Sequence, residues 1–488
     1  SMWSQHCGGT GTGRGSERLG HDGLLGKTYF SWWGSTPNLA KMVIAEKHEA
    51  YNLPIGVICH LFRAAAGKKP GILTTTGLRT FCDPRYGGGK MNASAKHNVS
   101  EVMTIDGEEY LFYRSPKIDI CFLRGTTADP SGNITMEREI SFLDILSIAQ
   151  ATKANNGIVI CQVERTTARK AKASLVKVPG FLVDYIVVDP EQMANRAEKY
   201  NTAYTEEIFL TDEQIDAHAK HLVQISSSLG AAVRRLEDWV VVRRAAMELM
   251  PGAVGNLGVG IPGMVANVAA QERVQGELKL TVETGTFGGT PMPAVGFGAA
   301  PGADILMEQA FIFDSYDGGA LDICVVGAGE IDSYGNVNVG RFGTMVAGVG
   351  GFANITQNSK KVIFVTPFTA GKDLNVEFRD GALQIHSEGK AKKFRKECAH
   401  INYSGPYARE HGKKVMYITE RCVFEMRPEG LTLTEIAPGV DLEKDIVAQM
   451  EFRPLMAKTL KVMDQRIFTG ESLGLREKMD EEKKKMDN

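Results

Sequence analysis

Asp119-Ile-Cys-Phe-Leu-Arg-Gly-Thr-Thr-Ala-Asp129-Pro-Ser-Gly132-Asn133-Ile-Thr135 aligns without a gap to Asp322-Ile-Cys-Val-Val-Gly-Ala-Gly-Glu330-Ile-Asp332-Ser-Tyr-Gly335-Asn336-Val-Asn338. Asp, Ile, Cys, Asp, Gly and Asn recur in register, with apolar matches between them. Beyond the stretch, Gly157-Ile-Val-Ile-Cys161 meets Lys361-Val-Ile-Phe-Val365. A strand, a D-x-x-G-N turn and a further strand, each present twice, mean two copies of one fold unit. The turn residues have structural roles: the Asp side chain caps backbone N–H groups, and Gly and Asn tolerate positive φ. Glu330 stands where the first copy has Thr127 and is a secondary candidate acid.

Working outward, apolar runs at Ala50–Leu53, Ile118–Arg124 and Gly157–Val163 read as strands, and Ser141–Lys153 has helical spacing. In the second copy, Arg234–Met250 reads as an amphipathic helix stopped by Pro251-Gly252. Val254–Gly258 is a short strand, and Gly258-Val-Gly260-Ile-Pro262 turns the chain into a helix over Met264–Ala270. Strand–helix alternation predicts an α/β fold of two tandem similar domains with mainly parallel sheets. Polar residues from Tyr200 to Gly230 mark the connection. The domains are set at 1–222 and 223–478, followed by a charged tail, 479–488.

A length of 488 residues suits two cores better than one, and 43% apolar content suits ordinary burial. A net charge of −2 gives no electrostatic reason to expect nucleic acid or membrane as partner. No apolar run reaches the length of a membrane span, and no signal-peptide pattern opens the chain. The eight cysteines are scattered, without C-x-x-C pairs or zinc spacing, so buried thiols are expected and a metal site is not. The glycines of Cys7–Gly15 follow no strand and lack dinucleotide spacing, so a surface loop is expected there.

The candidate catalytic stretch is Thr281-Val-Glu283-Thr-Gly285-Thr-Phe-Gly288-Gly289. Glu283 ends a buried strand, Leu278–Val282, and a turn with little side-chain bulk follows, so one carboxylate and nearby N–H groups are presented to a ligand. The plain structural alternative is a strand-end Glu paired with a Lys or Arg. Gly258, Gly260 and Pro262 are either a cradle for a phosphate or pantetheine group or a tight βα corner. Ala347–Asn354 is a glycine loop whose consecutive N–H groups are expected to converge on an anion. Phe313–Gly319 reads as a loop in which Asp314, Tyr316 and Asp317 either wall a pocket or shape the loop. His60 and Arg63 are candidate substrate contacts, or a core histidine and a surface arginine.

Taken together, V-E-T-G-T-F-G-G, G-V-G-G-F and the doubled D-x-x-G-N units resemble the class I CoA-transferases, most of all the single-chain acetate/propionate type. The likeness extends to Tyr51-Asn-Leu-Pro54, His60-Leu-Phe-Arg63, Gly77, Arg124–Asp129, Asn256–Pro262 and Phe313–Gly319. It implies that Glu283 is the nucleophile and that Gly348, Val349, Gly350, Gly351 and Phe352 form the oxyanion and CoA-binding loop. It further implies CoA binding by Gly258, Gly260, Pro262, Gly285 and Gly288, and ping-pong transfer through a glutamyl-CoA thioester. CoA and acyl-CoA would then be substrates, with a carboxylic acid as the other partner, no prosthetic group and no metal. Relatives suggest a homo-oligomer, dimer or tetramer, in the cytoplasm, with an organelle matrix left open. Two departures stand out. The family's first strand and Gly-Gly-Phe turn have no counterpart in the first half, so an incomplete N-terminal domain is expected. Ile55 also stands where relatives usually carry Gln. An acyl-CoA hydrolase using the same site and a non-catalytic CoA-binding protein are the alternatives.

Overall fold

The computed structural model describes residues 1–4, 13, 15–193, 198–205, 208–228, 235–293 and 296–486; the loop expected at Cys7–Gly15 lies mostly outside them. Three short parallel strands come first: β1 (Met2–Ser4), β2 (Lys27–Phe30) and β3 (Glu49–Asn52). Pro54 then caps α1 (Ile55–Ala66), a helix apolar on nearly all sides and therefore buried on nearly all sides. Next come β4 (Ile120–Ala128), α2 (Ile145–Ala154), β5 (Ile158–Thr166) and β6 (Tyr185–Val188), with β4, β5 and β6 parallel neighbours. Helix α2 starts four residues later than its spacing predicts, because Leu143 takes a φ of 48°, outside the helical region.

The second half contains α3 (Leu236–Ala246), β7 (Val254–Leu257), α4 (Val265–Gln271), β8 (Lys279–Val282), α5 (Gln309–Asp317), β9 (Ile323–Gly327), α6 (Phe352–Asn358), β10 (Lys361–Val365) and β11 (Lys414–Ile418). Strands β8-β7-β9-β10-β11 run parallel at the centre of a ten-stranded sheet. The loop expected at Phe313–Gly319 is a correction: residues to Asp317 complete α5. Gly318-Gly319 draws the reading toward a loop, but these glycines only stop the helix, Gly319 at φ 83°.

The duplication holds at the level of single hydrogen bonds. Asp129 Oδ1 accepts the N–H groups of Ser131 and Asn133 at 2.8 and 3.0 Å, and Asp332 Oδ1 accepts those of Tyr334 and Asn336 at 3.0 and 2.9 Å. Asn133 and Asn336 each donate from Nδ2 to that Asp at 3.0 Å. The same two side chains accept the N–H groups of Gly180 and Gly405 through Oδ1.

At one place the copies differ. In the second, β9 lies between β7 and β10. In the first, β4 pairs with β5 along one edge, while its other edge meets only the short strand Ile134–Thr135, at Thr127 and Ala128. Strand β1 pairs with β2 alone. Among the described residues the space bounded by Met2, Trp3, Ile120 and Phe122 therefore holds no strand where the second copy has β7, and Phe122 is 80% exposed.

The two halves share their cores. Ile55 and Cys59 of α1 enter the core of the second half, and Val349 and Ala353 enter that of the first. The division expected at 222/223 falls inside the helix Asp212–Ser228, whose Leu222 packs on Met292 and Ala299 of the second half.

Candidate active site

The ends of β7 and β8, the glycine loop before α6 and the start of α1 meet in a cleft between the halves. The cleft opens into a cavity of about 3240 Å³. Glu283 follows β8 directly. Its backbone is fixed on both sides: Gln309 Nε2 donates to the Glu283 carbonyl at 3.0 Å, and the Gly285 N–H donates to Val282 O at 3.0 Å. Gly285 has a φ of 118°, and any β-carbon there would overlap Met307 O, so only glycine lets the chain turn away from Glu283.

The Glu283 carboxylate points at Gly351. A β-carbon on Gly351 would overlap Glu283 Oε2 and stand 3.3 Å from Ile355 Cδ1. Burial pushes the Glu283 carboxyl up to about 7, with no cation contributing. A strand-end Glu paired with Lys or Arg is thus not what the structure contains. Ile55, Val349, Phe352 and Ile355 line the cleft with it, so its wall there is apolar.

The glycine loop corrects one expectation. Its N–H groups do not converge on an anion, because most of them hold the loop to the protein. Gly348 N–H donates to Gly340 O at 2.9 Å, Val349 N–H to Asn52 Oδ1 at 3.0 Å, Gly350 N–H to Ser31 O at 2.9 Å and Phe352 N–H to Val349 O at 3.1 Å. Gly351 N–H alone in this run has no acceptor among the described residues. Asn52 also donates to Phe30 O and Ser31 O, at 2.7 and 2.8 Å. The turn after β2 and the end of β3 therefore shape the loop from the other domain.

Of the remaining expected residues, Gly258, Gly260 and Gly288 line the cleft. The Gly258 N–H is committed to Val325 O at 2.8 Å, and Pro262 opens the short 3-10 turn Pro262–Met264 that leads into α4. Tyr316 is buried under β8, donating to Thr281 Oγ1 at 2.8 Å and accepting from Asn256 Nδ2 at 3.3 Å. His60 and Arg63 bind Asp314 across the joint between α1 and α5, at 2.9 and 2.8 Å. Asp317 lies beside them, behind the cleft wall. Glu330 accepts from Asn338 Nδ2 at 2.7 Å and supports its turn. Ser31 and Gln309 lie outside every motif singled out in the sequence, and Asn52 and Asn256 lie inside two of them with no role assigned; their work is done through contacts as far as 297 residues apart in sequence.

The seven cysteines among the described residues are buried and unbridged. No group of three or more His, Cys, Asp or Glu among the described residues is arranged to hold a metal ion.

The family profile for coenzyme A transferase matches residues 4–189. The caffeate CoA-transferase of Acetobacterium woodii is 42% identical over 468 residues, covering 95% of this chain and 87% of that protein. The acetate CoA-transferase YdiF of Escherichia coli K12 is 41% identical over 465 residues, covering 94% of this chain and 84% of that protein. A solved acyl-CoA transferase of Escherichia coli O157:H7, in a thioester complex with CoA, superposes with a TM-score of 0.86 at 38% identity, covering 96% of this chain and 86% of that one. By sequence over nearly its whole length and by fold, this chain belongs to the coenzyme A transferase family and is a CoA-transferase.

Proposed function

We propose that the chain moves CoA between a short-chain acyl-CoA and a free monocarboxylate of the acetate or propionate kind, with Glu283 as the covalent nucleophile. The observation that carries this is the Glu283 carboxylate itself, raised to about 7, unpaired with any cation among the described residues and held against Gly351 at the cleft wall. A more basic carboxylate is the better nucleophile. Glu283 attacks the acyl carbonyl and CoA thiolate leaves, giving an acyl-glutamyl anhydride. The thiolate attacks the Glu283 carbonyl, releasing the first carboxylate and leaving a glutamyl-CoA thioester. The acceptor acid reverses these steps. Each tetrahedral intermediate carries an oxyanion, for which the Gly351 N–H is the donor in reach; one such donor is worth about 3 kcal/mol. The apolar wall of Ile55, Val349 and Ile355 suits an uncharged acyl group. The thioester complex of the Escherichia coli relative, and the acetate and caffeate named for the two similar enzymes, support the route and the monocarboxylate class.

The same reading takes the enzyme as a homo-oligomer of the cytoplasm. No helix among the described residues is long and apolar enough to cross a membrane.

The test is intact mass after mixing with acetyl-CoA, beside Glu283→Gln. A CoA adduct on the parent only, discharged by excess acetate, is the expected result. Discharge at the same rate without any acceptor acid would instead mark a hydrolase, and absence of an adduct with acetyl-, propionyl- and butyryl-CoA would end the covalent proposal.

A further inference from the structure

The start of α1 is held by the other half of the chain. The first N–H groups of a helix have no partner within it. Here the Ile55 N–H donates to Gly350 O at 3.0 Å, and the Gly56 N–H donates to Asn354 Oδ1 at 3.1 Å. Asn354 is fully buried in the first turn of α6, three residues after Gly351. The orientation of its amide is set by Asp317, whose Oδ1 accepts from Asn354 Nδ2 at 2.8 Å and from Thr76 Oγ1 at 3.1 Å. No side chain fits at Gly56, where a β-carbon would lie 2.8 Å from Phe313 Cδ1 and overlap the Asn354 amide.

We propose that Asp317 and Asn354 are positioning residues for the transfer reaction: the chain Asp317–Asn354–Gly56, which with the adjoining Ile55–Gly350 bond crosses the domain joint, fixes the height of Gly351 above Glu283. This rests on Glu283 being the nucleophile. The Asp317 carboxylate is the only charged group in the chain of contacts. His60 faces it from α1, with Nδ1 at 3.9 Å from Asp317 Oδ2, together with Asp314 on its own helix, with which Arg63 pairs, and Tyr113 from the strand Glu108–Arg114. Burial raises the Asp317 carboxyl to about 6, against the opposing pull of Asn354, His60 and Thr76. Ionised, it can only accept, which holds the Asn354 amide with nitrogen inward and oxygen toward Gly56. Protonated, it loses the charge that strengthens this bond and becomes a donor as well, so its hold on the Asn354 amide weakens.

The experiment compares the parent, Asn354→Ala and Asp317→Asn by steady-state kinetics across pH 5–8, with thermal melting alongside. A shift of about 1 Å in a reacting group costs about 100-fold in rate. Asn354→Ala is therefore expected to lose about 100-fold in kcat, with KM for acyl-CoA within about twofold and the variant folded at the assay temperature. In the parent, log kcat/KM should fall with a slope near two below about pH 6, from Glu283 and Asp317 together, and with a slope near one in Asp317→Asn. A loss in Asn354→Ala no larger than its loss of folded protein, or a slope in Asp317→Asn like the parent's, would overturn the proposal. A parent that forms no glutamyl-CoA adduct refutes the nucleophile reading beneath it; an active parent with parent-like variants refutes the positioning role alone.

Discussion

Glu283 and Gly351, both from the second half, face each other in the cleft with no space for a methyl group between them. Gly351 has a φ of −82°, open to any residue, so its identity is dictated by the neighbour and not by the backbone. Gly351→Ala should leave folding nearly intact and lower kcat by about 100-fold or more by displacing the carboxylate. Melting curves and steady-state rates on the same preparation check both parts.

Glu283 must be ionised to attack. With its carboxyl at about 7, kcat/KM should fall tenfold per pH unit just below neutrality, rather than near pH 4.5 where an ordinary Glu titrates. A pH–rate profile flat from 8 down to 5 would remove the raised carboxyl from the mechanism.

The same shift bears on stability. The folded protein holds this proton more tightly than the unfolded chain, so the contribution is fully present below pH 4.5 and is lost as pH rises through about 7. At pH 8 the buried charge is a liability. Glu283→Gln should then be more stable than the parent by roughly 1–3 kcal/mol at pH 8, and by almost nothing at pH 4. Urea melts at the two pH values decide it.

Asn52 supports the glycine loop from the first half, accepting from Val349 and donating to Phe30 and Ser31. Asn52→Ala leaves the buried Val349 N–H without its acceptor, while Phe30 O and Ser31 O keep the N–H groups of Leu53 and Gly350. It should cost roughly 1–3 kcal/mol of stability and at least about tenfold in kcat, with KM for acyl-CoA moving less.

Gly180 and Gly405 serve the two copies of one turn. A β-carbon at either would overlap the carbonyl of the residue two before the repeat Asn, Ser131 O in one copy and Tyr334 O in the other. Each Ala variant should lose about 1–3 kcal/mol, by similar amounts. Unequal losses in chemical denaturation would mean that the copies no longer share their mechanics.

Much of this was legible in the chain. The strand ending in Glu283, the positive-φ glycine after it and the paired Asp-x-x-Gly-Asn turns are local patterns, and local patterns survive in sequence. Helix α5 was misread because Gly318-Gly319 signals a turn without saying on which side the helix lies. The glycine loop misled more deeply. Its composition promises free N–H groups, yet Asn52, Ser31 and Gly340 consume most of them through contacts that depend on how the halves dock. Asp317 is marked in sequence only as one acid of Phe313–Gly319, and its role could not be read there, since its partners Thr76, His60 and Asn354 come from three separate segments.

The glycine loop is only as firm as the small sheet that grips it. Ser31 and Asn52, which grip the glycine loop, sit at the ends of β2 and β3, in a three-stranded sheet with a small core of its own around Phe30, Trp33 and Ala50. The large core around β9 and β10 owes that sheet little. On warming, the first cooperative unit to open is the one that holds the loop. Turnover should therefore fade several degrees below the main calorimetric transition, and return on cooling, because the body of the protein has never come apart.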